Sequence, residues 1–176
     1  MTSLEQTPQK LSTQRLLLRT PCSNDAPAIA KLAHNPKIAE MTATIPYPYP
    51  LTAAESWIKH VQEQRQQGNI AAYLICHHED QQVMGVISLR RFSDGDVNLA
   101  YWLGEHYWGH GFCTEAGVAI LHMAKQFEIQ PVIARHLASN EASKSVLLRL
   151  GFQKVGSETS LHRNTQQHFI CYTLQT

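Results

Sequence analysis

The spacing of apolar and polar positions changes several times along the chain, and each change marks a new element. Residues 14–19 carry consecutive leucines before Pro21, which predicts a strand. Apolar side chains then recur at helical spacing from Ala26 to Ala33. Asn35-Pro36 is expected to end that helix.

A proline-rich stretch separates this helix from the next. Residues 45–50 contain three prolines, each of which removes a backbone donor, so an extended loop is expected there. Thr52 followed by Glu55 is a capping-box pattern, which predicts a second helix ending near Gly68.

The period becomes that of strands between residues 71 and 103. Two β-prone runs cover 71–76 and 82–89. An Asp-Gly turn at residues 94–95 then leads into a third run over 97–103. Three successive antiparallel strands are therefore expected.

The last third of the chain alternates helices and strands. The pattern predicts a long helix over 111–127, a strand over 132–137, a short helix over 140–150, and closing strands over 152–155 and 168–174. The whole order is that of an α+β (mixed α/β) domain. It lacks the regular βαβ alternation of a doubly wound nucleotide fold.

The composition is that of a globular chain of one domain. The chain has 176 residues, of which 43% are hydrophobic and 16% charged, with a net charge of +1. This balance argues against a non-specific nucleic-acid binder. Residues 1–12 are polar and are expected to be a flexible N-terminus, with a single domain over 13–176.

Targeting and metal signals are not found. The N-terminus lacks the apolar stretch of a secretory signal, and no run is long enough to span a bilayer. The four cysteines are scattered without a C-x-x-C pair, and the ten histidines form no metal signature. We therefore expect free thiols, a cytoplasmic protein, no membrane contact and no metal.

The most informative segment joins the strand ending at Leu103 to the helix beginning at Gly111. Gly109 and Gly111 permit backbone angles that other residues rarely adopt. The unpaired N–H groups of the first helical turn, with the positive end of the helix dipole behind them, favour phosphate.

Two common phosphate motifs do not fit this turn. A G-x-x-x-x-G-K-[ST] loop needs a lysine directly after its second glycine, but neither Gly109 nor Gly111 is followed by lysine. A dinucleotide fingerprint would need a third glycine where Thr114 stands. A plain helix start with two turn glycines remains open at this point.

A second segment favours one family. The strings Y-W-L-x-x-x-x-W-G-x-G-x-x-T-E-A at 101–116 and N-x-x-S…L-G-F at 140–152 together resemble the GNAT acetyltransferase superfamily. The chain looks most like its RimJ/RimL branch, the ribosomal-protein N-terminal acetyltransferases. The resemblance implies a GNAT fold: a mostly antiparallel sheet, flanked by helices and splayed between the fourth and fifth strands.

The resemblance also implies acetyl-CoA as acetyl donor. The family's pyrophosphate turn falls on residues 108–113, where Trp108 replaces the usual glutamine or arginine and Cys113 the usual glycine or alanine. The pantetheine arm would lie in the splay, and a backbone N–H near residues 101–103 would polarise the thioester carbonyl. The residues expected to bind the coenzyme are Tyr101, Trp102, Leu103, Trp108, Gly109, His110, Gly111, Phe112, Cys113, Thr114, Asn140, Ser143 and Lys144.

The family's proton-transfer groups map onto this chain only in part. Many members use a tyrosine as acid where this chain has Leu147. In the RimJ/RimL type the serine of N-x-x-S serves instead, which is Ser143 here. Glu105 is the candidate base, with His106 and His110 as alternatives.

The acceptor is expected to be a primary amine. With one candidate carboxylate as base, an α-amine with a pKa of about 7.7–8.0 is an easier acceptor than lysine at about 10.4. The Tyr47 and Tyr49 loop and the Trp57 helix are expected to form the acceptor wall. A peptide N-terminus and a small-molecule amine both remain open, as do monomer and homodimer.

The leading hypothesis is therefore an acetyl-CoA-dependent N-acetyltransferase. Trp108, Leu147 and Asn98, where the branch often has an acidic residue, depart from the family pattern. These departures leave open a non-catalytic coenzyme A-binding sensor or interaction module.

Overall fold

One eight-stranded sheet organises the protein. The computed structural model describes residues 3–162 and 164–174. The strands lie in the order β1-β2-β3-β4-β5-β6-β8-β7, and every neighbouring pair is antiparallel except β5–β6. The strands are β1 (Lys10–Ser12), β2 (Leu16–Arg19), β3 (Ile70–His77), β4 (Val83–Arg91), β5 (Val97–Leu103), β6 (Val132–Leu137), β7 (Gln153–His162) and β8 (Thr165–Leu174).

Helices cover both faces of this sheet. They are α1 (Ala26–Ala33), α2 (Pro36–Met41), α3 (Leu51–Gln66), α4 (Phe112–Gln126) and α5 (Glu141–Arg149). The mixed α/β fold predicted from the sequence is confirmed. No helix within the described ranges has the length and apolar character needed to cross a bilayer.

The two faces have separate apolar cores. On one face, Leu74 and Val86 pack against Ile29 of α1 and Ile58 of α3. On the other face, α4 and α5 cover a larger core, because side chains alternate between the faces along each strand. This larger core includes Tyr73, Ile87, Leu89, Leu99, Ile120, Met123 and Leu147.

The N-terminal segment is more ordered than the sequence predicts. A 3-10 turn covers Leu4–Gln6, and Leu4 is fully buried in the larger core. The hydroxyl of Tyr73 donates to the carbonyl of Pro8 at 2.6 Å. The segment 1–12, expected to be flexible, is therefore structured from residue 4, where the buried Leu4 anchors it to the core. Residues 1 and 2 of that segment lie outside the described residues.

Two helix starts also differ from the prediction. Asn35-Pro36 does end α1, but it also begins α2, where the Asn35 side chain accepts from the N–H of Lys37 at 2.9 Å. Pro favours the first helical position, so the same dipeptide serves both ends. The capping box predicted at Thr52 is wrong, because α3 starts at Leu51 with Pro50 as its N-cap.

The sheet parts in its middle. β5 and β6 pair only through Val97↔Val132, Asn98↔Ile133 and Leu99↔Ala134, after which the strands diverge. The predicted splay is therefore confirmed; it lies between β5 and β6 here because β1 adds a strand to the predicted order. Beyond it, β7 and β8 form a hairpin longer than predicted, which extends the sheet past β6.

Candidate active site

A single large cavity runs through the parting of β5 and β6. Its volume is about 1240 Å³, which is ample for a ligand of coenzyme size. Its lining includes Trp57 of α3 from one side of the sheet, and Thr114 of α4 with Ser143 of α5 from the other. A ligand that enters between the strands therefore reaches both faces.

The backbone of β5 presents free polar groups to this cavity. Backbone groups alternate in direction along a strand. The N–H of Val97 donates to Pro131, on the β6 side, at 3.1 Å, and the N–H of Gly104 donates to Met84, on the β4 side, at 2.8 Å. By this alternation the backbone groups of Tyr101 and Leu103 face the parting.

Trp102 has the opposite orientation. It is paired with Val86 in the β4–β5 register, so its backbone groups belong to the sheet. The expectation that its backbone would contact the coenzyme is corrected here, because strand alternation directs these groups toward β4. Its side chain packs in the core beneath α1 and α3 and also lines the cavity.

Trp108 occupies one of the two backbone acceptors that face the parting, the carbonyl of Leu103. Its indole N–H donates to the carbonyl of Leu103 at 2.8 Å. The tryptophan that departs from the family pattern thus joins the glycine turn to the last residue of β5. The N–H of Leu103 and both polar groups of Tyr101 remain directed at the parting.

The glycine turn, which contains Gly109 and Gly111, also lines the cavity. Gly109 and Gly111 have φ of 78° and 77°, the left-handed region that favours glycine. Gly111 is the N-cap of α4, so the first amides of the 15-residue helix lie unpaired behind it. Nothing lies within 4 Å of a Cβ built on Gly109, so this turn is open to a ligand.

An arginine outside the turn fixes it in place. Arg15 donates through Nη1 to the carbonyl of His110 at 2.9 Å and through Nε to Glu115 at 2.6 Å, and it stacks over the Phe112 ring at 4.6 Å. Glu115 also accepts from the hydroxyl of Thr13 at 2.6 Å. Burial raises the pKa of Glu115, but these donors outweigh it and hold the pKa below its usual range.

Thr114 and Cys113 follow the turn and line the cavity. The hydroxyl of Thr114 is buried without a partner among the described residues, which is unusual for a polar atom. Its position supports the expectation that Thr114 donates to a ligand. Burial raises the pKa of Cys113 to about 12, so its thiol is unreactive at neutral pH.

Ser143 lies in a hydrogen-bonded cluster on the first turn of α5. Its N–H donates to the side-chain oxygen of Asn140, the N-cap, at 3.0 Å. Its Oγ lies 2.8 Å from the hydroxyl of Tyr101, whose oxygen is also 3.2 Å from the Ser143 carbonyl. Asn140 in turn donates to the carbonyl of Met41 at 3.1 Å.

Glu105, the predicted base, lies outside the cavity lining. Its carboxylate accepts from Asn35 at 2.7 Å and forms an ion pair with Lys37. The Lys37 and Asn35 donors lower its pKa below the ordinary range. Glu105, His106 and His110 do not line the cavity, so these three candidates for the base are set apart from Ser143.

Of the remaining predicted residues, some line the cavity and others do not. Tyr49 is buried and lines the cavity, whereas Tyr47 is exposed and packs against the ring of His34. Lys144 pairs with Glu141 at 2.9 Å and lies outside the lining; another cation of α5, Arg149, lies in it. Within the described ranges, no group of three or more metal-ligating side chains is placed to hold a metal ion.

Comparison with known proteins agrees with this geometry. A family model described as "Acetyltransferase (GNAT) domain" matches residues 15–153. An uncharacterised N-acetyltransferase of Schizosaccharomyces pombe is 33% identical over 82 residues, and the match spans 47% of this chain and 44% of the yeast protein. The [ribosomal protein uS5]-alanine N-acetyltransferase of Escherichia coli is 26% identical over 155 residues, 84% of this chain and 79% of that protein.

Solved structures share the fold at low identity. The microcin C7 self-immunity acetyltransferase MccE, solved with acetyl-CoA and AMP, superposes with a TM-score of 0.83 at 18% identity, covering 93% of this chain and 94% of that one. The ribosomal L7/L12 α-N-protein acetyltransferase RimL, solved with coenzyme A, also has a TM-score of 0.83, at 20% identity over 93% of this chain and 96% of that one.

Proposed function

The chain belongs to the GNAT acetyltransferase family, and on that premise we propose that it transfers the acetyl group of acetyl-CoA to the α-amine of a polypeptide N-terminus. One observation carries the proposal: a single cavity joins the glycine turn of α4 to the unpaired backbone of β5 and to Ser143. The likeness to an acetyltransferase of ribosomal protein uS5 supports a polypeptide acceptor.

The cavity suits a coenzyme with a diphosphate at one end and a thioester at the other. Residues 109–114 supply glycine-flanked amides at the N-terminus of α4, where the helix dipole favours negative charge. Tyr101 and Leu103 supply backbone groups that bind an extended arm as an added strand would. Because Trp108 donates to the Leu103 carbonyl, only the N–H of Leu103 is left to bind the arm.

One of these N–H groups, at Tyr101 or Leu103, stabilises charge on the thioester oxygen. Attack by a neutral amine forms the C–N bond and places negative charge on the carbonyl oxygen, next to the donors of β5. Collapse then breaks the C–S bond and releases the thiolate. An amide N–H donor that is already fixed in a sheet needs no reorganisation when that charge develops.

One proton must travel from the amine to the departing sulfur. Ser143 is placed to relay it: the hydroxyl gives its proton to the sulfur and takes one from the attacking nitrogen. The hydroxyls of Tyr101 and Ser143 lie 2.8 Å apart, and either oxygen can be the donor. When Tyr101 donates, the serine proton is free to point into the cavity. The products are the acetylated amine and the free thiol, with no net change in the enzyme.

This scheme needs no strong base on the protein. About a tenth of α-amines with a pKa of 7.7–8.0 are neutral at pH 7, against less than a thousandth of lysine side chains. Glu105 is held as an ion-paired carboxylate with a lowered pKa, which makes it a weak proton acceptor. We propose that it positions the α2 segment through Lys37 and Asn35.

Release of coenzyme A from acetyl-CoA tests the proposal. We expect release with peptides that have a free N-terminus, and none with the same peptides after N-terminal blocking. Release with spermidine or an aminoglycoside alone would assign a small-molecule acceptor. Acetyl-CoA binding without release for any amine would favour a coenzyme A-binding sensor module.

A further inference from the structure

The acceptor side of the cavity has a floor of small side chains. Ala72, Ser88 and Ala100 point to the face beneath α1 and α3 and line the cavity; Ala72 is buried, Ser88 half-buried and Ala100 exposed. Trp57 and His60 of α3 form one wall. We call this surface the acceptor groove; an extended chain can lie along it without displacing a large side chain.

Two polar side chains, Arg90 and Asn98, lie at the far end of the acceptor groove. Arg90 and Asn98 are directly opposite in the β4–β5 register and point to the same face. Asn98 Oδ1 is buried and has no partner among the described residues. Arg90 stands 5.9 Å from the Phe92 ring and forms no ion pair within the described ranges.

The charge of the cavity lining is one-sided. Among the described residues that line it, the only carboxylate is Glu141, which pairs with Lys144 at the start of α5. Arg135 is neutralised by Glu158, whereas Arg90, at the acceptor side, forms no ion pair with any described residue. A second cationic group on the acceptor would find no carboxylate there, whereas an anionic group would find Arg90.

Building on the proposed function, we infer that the acceptor groove selects polypeptide N-termini that carry an acidic side chain at the third or fourth position. Arg90 pairs with that carboxylate through its planar fork. Asn98 binds the peptide main chain, its Oδ1 accepting from an N–H and its amide donating to a carbonyl.

The position of the acidic residue follows from strand geometry. The amine must reach the thioester at Tyr101, and Asn98 lies three residues earlier on β5. Three residues of strand span about 10 Å, since each advances about 3.3 Å. An extended acceptor advances by the same step, so its third or fourth side chain lies next to Arg90 when its amine lies next to Tyr101.

Matched peptides test this inference. One series places Asp, Asn or Lys singly at positions 2 to 6 of an otherwise neutral sequence, and kcat/KM is measured for each. We expect Asp at position 3 or 4 to be favoured about tenfold over Asn, and Lys to be disfavoured. Arg90→Ala should remove the preference for Asp over Asn, and Arg90→Glu should reverse it in favour of Lys.

A charge control and a binding measurement complete the design. Lys125→Ala removes one positive charge from the exposed surface of α4, away from the cavity, and should keep the preference. Peptide affinity is also measured on protein saturated with coenzyme A, where no transfer occurs. An acidic preference in binding without turnover would support the groove and overturn the proposed function; equal affinity and equal turnover for Asp, Asn and Lys would overturn the inference.

Discussion

The phenol oxygen of Tyr101 lies 2.8 Å from Oγ of Ser143, so a strand residue and a helix residue share one hydrogen bond beside the parting of the sheet. Burial raises the pKa of Tyr101 above its ordinary range, and the bond to Ser143 offsets this only in part. The phenol therefore stays protonated at neutral pH and is a lasting donor to Ser143.

Removing either hydroxyl should slow turnover. We expect Ser143→Ala to lower kcat roughly 100-fold, because proton relay is lost. Tyr101→Phe should lower kcat about tenfold, as expected for one hydrogen bond, with the KM for acetyl-CoA within about twofold. The double variant should be little slower than Ser143→Ala alone, because the two residues act as one unit.

Tyr73→Phe is the matched control for this pair. It removes a buried phenol that bonds Pro8 on the far side of the core, outside the cavity. It should lower stability and leave kcat unchanged. Fully additive losses for Tyr101→Phe and Ser143→Ala would contradict a shared role.

Replacing Gly111 should weaken coenzyme binding. A side chain at φ 77° strains the N-cap of α4 by about 1 kcal/mol and crowds its first amides. We expect Gly111→Val to raise the KM for acetyl-CoA at least tenfold. Gly95→Val, at φ 98° in the β4–β5 turn with open space around it, imposes a similar strain far from the site and should leave that KM unchanged.

Glu105→Gln should have little effect on catalysis. The Lys37 and Asn35 donors already lower the pKa of this carboxyl, so it does not take up a proton near pH 7. We expect kcat/KM within about threefold of the native value and an unchanged pH–rate profile, against a loss of 10²–10⁴ for a general base. Glu79→Gln, in the exposed turn after β3, serves as control; loss of the basic limb of the profile in Glu105→Gln alone would restore the base assignment.

Stability at acid pH should depend on Asp25. Burial raises the pKa of this carboxyl, but its two bonds to Arg19, at 2.9 and 2.7 Å, and the N–H of Cys22 outweigh burial and lower it. A lowered folded-state pKa adds stability above the unfolded value of about 3.9, and this stability is lost as pH falls through the folded value.

Asp25→Asn should therefore cost about 2 kcal/mol of unfolding free energy at pH 7. The gap between the native protein and Asp25→Asn should be constant above about pH 5 and narrow below about pH 4. Urea unfolding at several pH values measures it, with Glu55→Gln on the exposed surface of α3 as control. A gap that did not vary with pH would show that the carboxylate charge plays no part.

Local patterns in the sequence predict the secondary structure well where one signal dominates. The strands over 97–103 and 132–137 are predicted to the residue, because each is an apolar run bounded by turn signals. Asn35-Pro36 carries both a stop and a start signal, so the short α2 is missed. The long hairpin of β7 and β8 is underestimated because its strands are mostly polar and bulged near Gly156.

The site is less accessible to sequence reasoning because its key contacts are distant in the chain. Glu105 meets Lys37 across 68 positions, and Arg15 meets Glu115 across 100. From its position in a loop, Glu105 is predicted to be a free carboxylate that could act as a base. Only the fold shows that Lys37 is its partner. The opening arginine is a recognisable motif residue, but its grip on the glycine turn depends on tertiary packing.

The parting of β5 and β6 gives the sheet an edge in its interior rather than at its rim. Exposed strand edges at a rim invite pairing with other molecules, whereas this one lies between strands that remain joined at their base. An acyl carrier seated there completes the sheet from within. Amide hydrogen exchange at Tyr101 and Leu103 should consequently slow when the donor binds, which would report occupancy before any chemistry takes place.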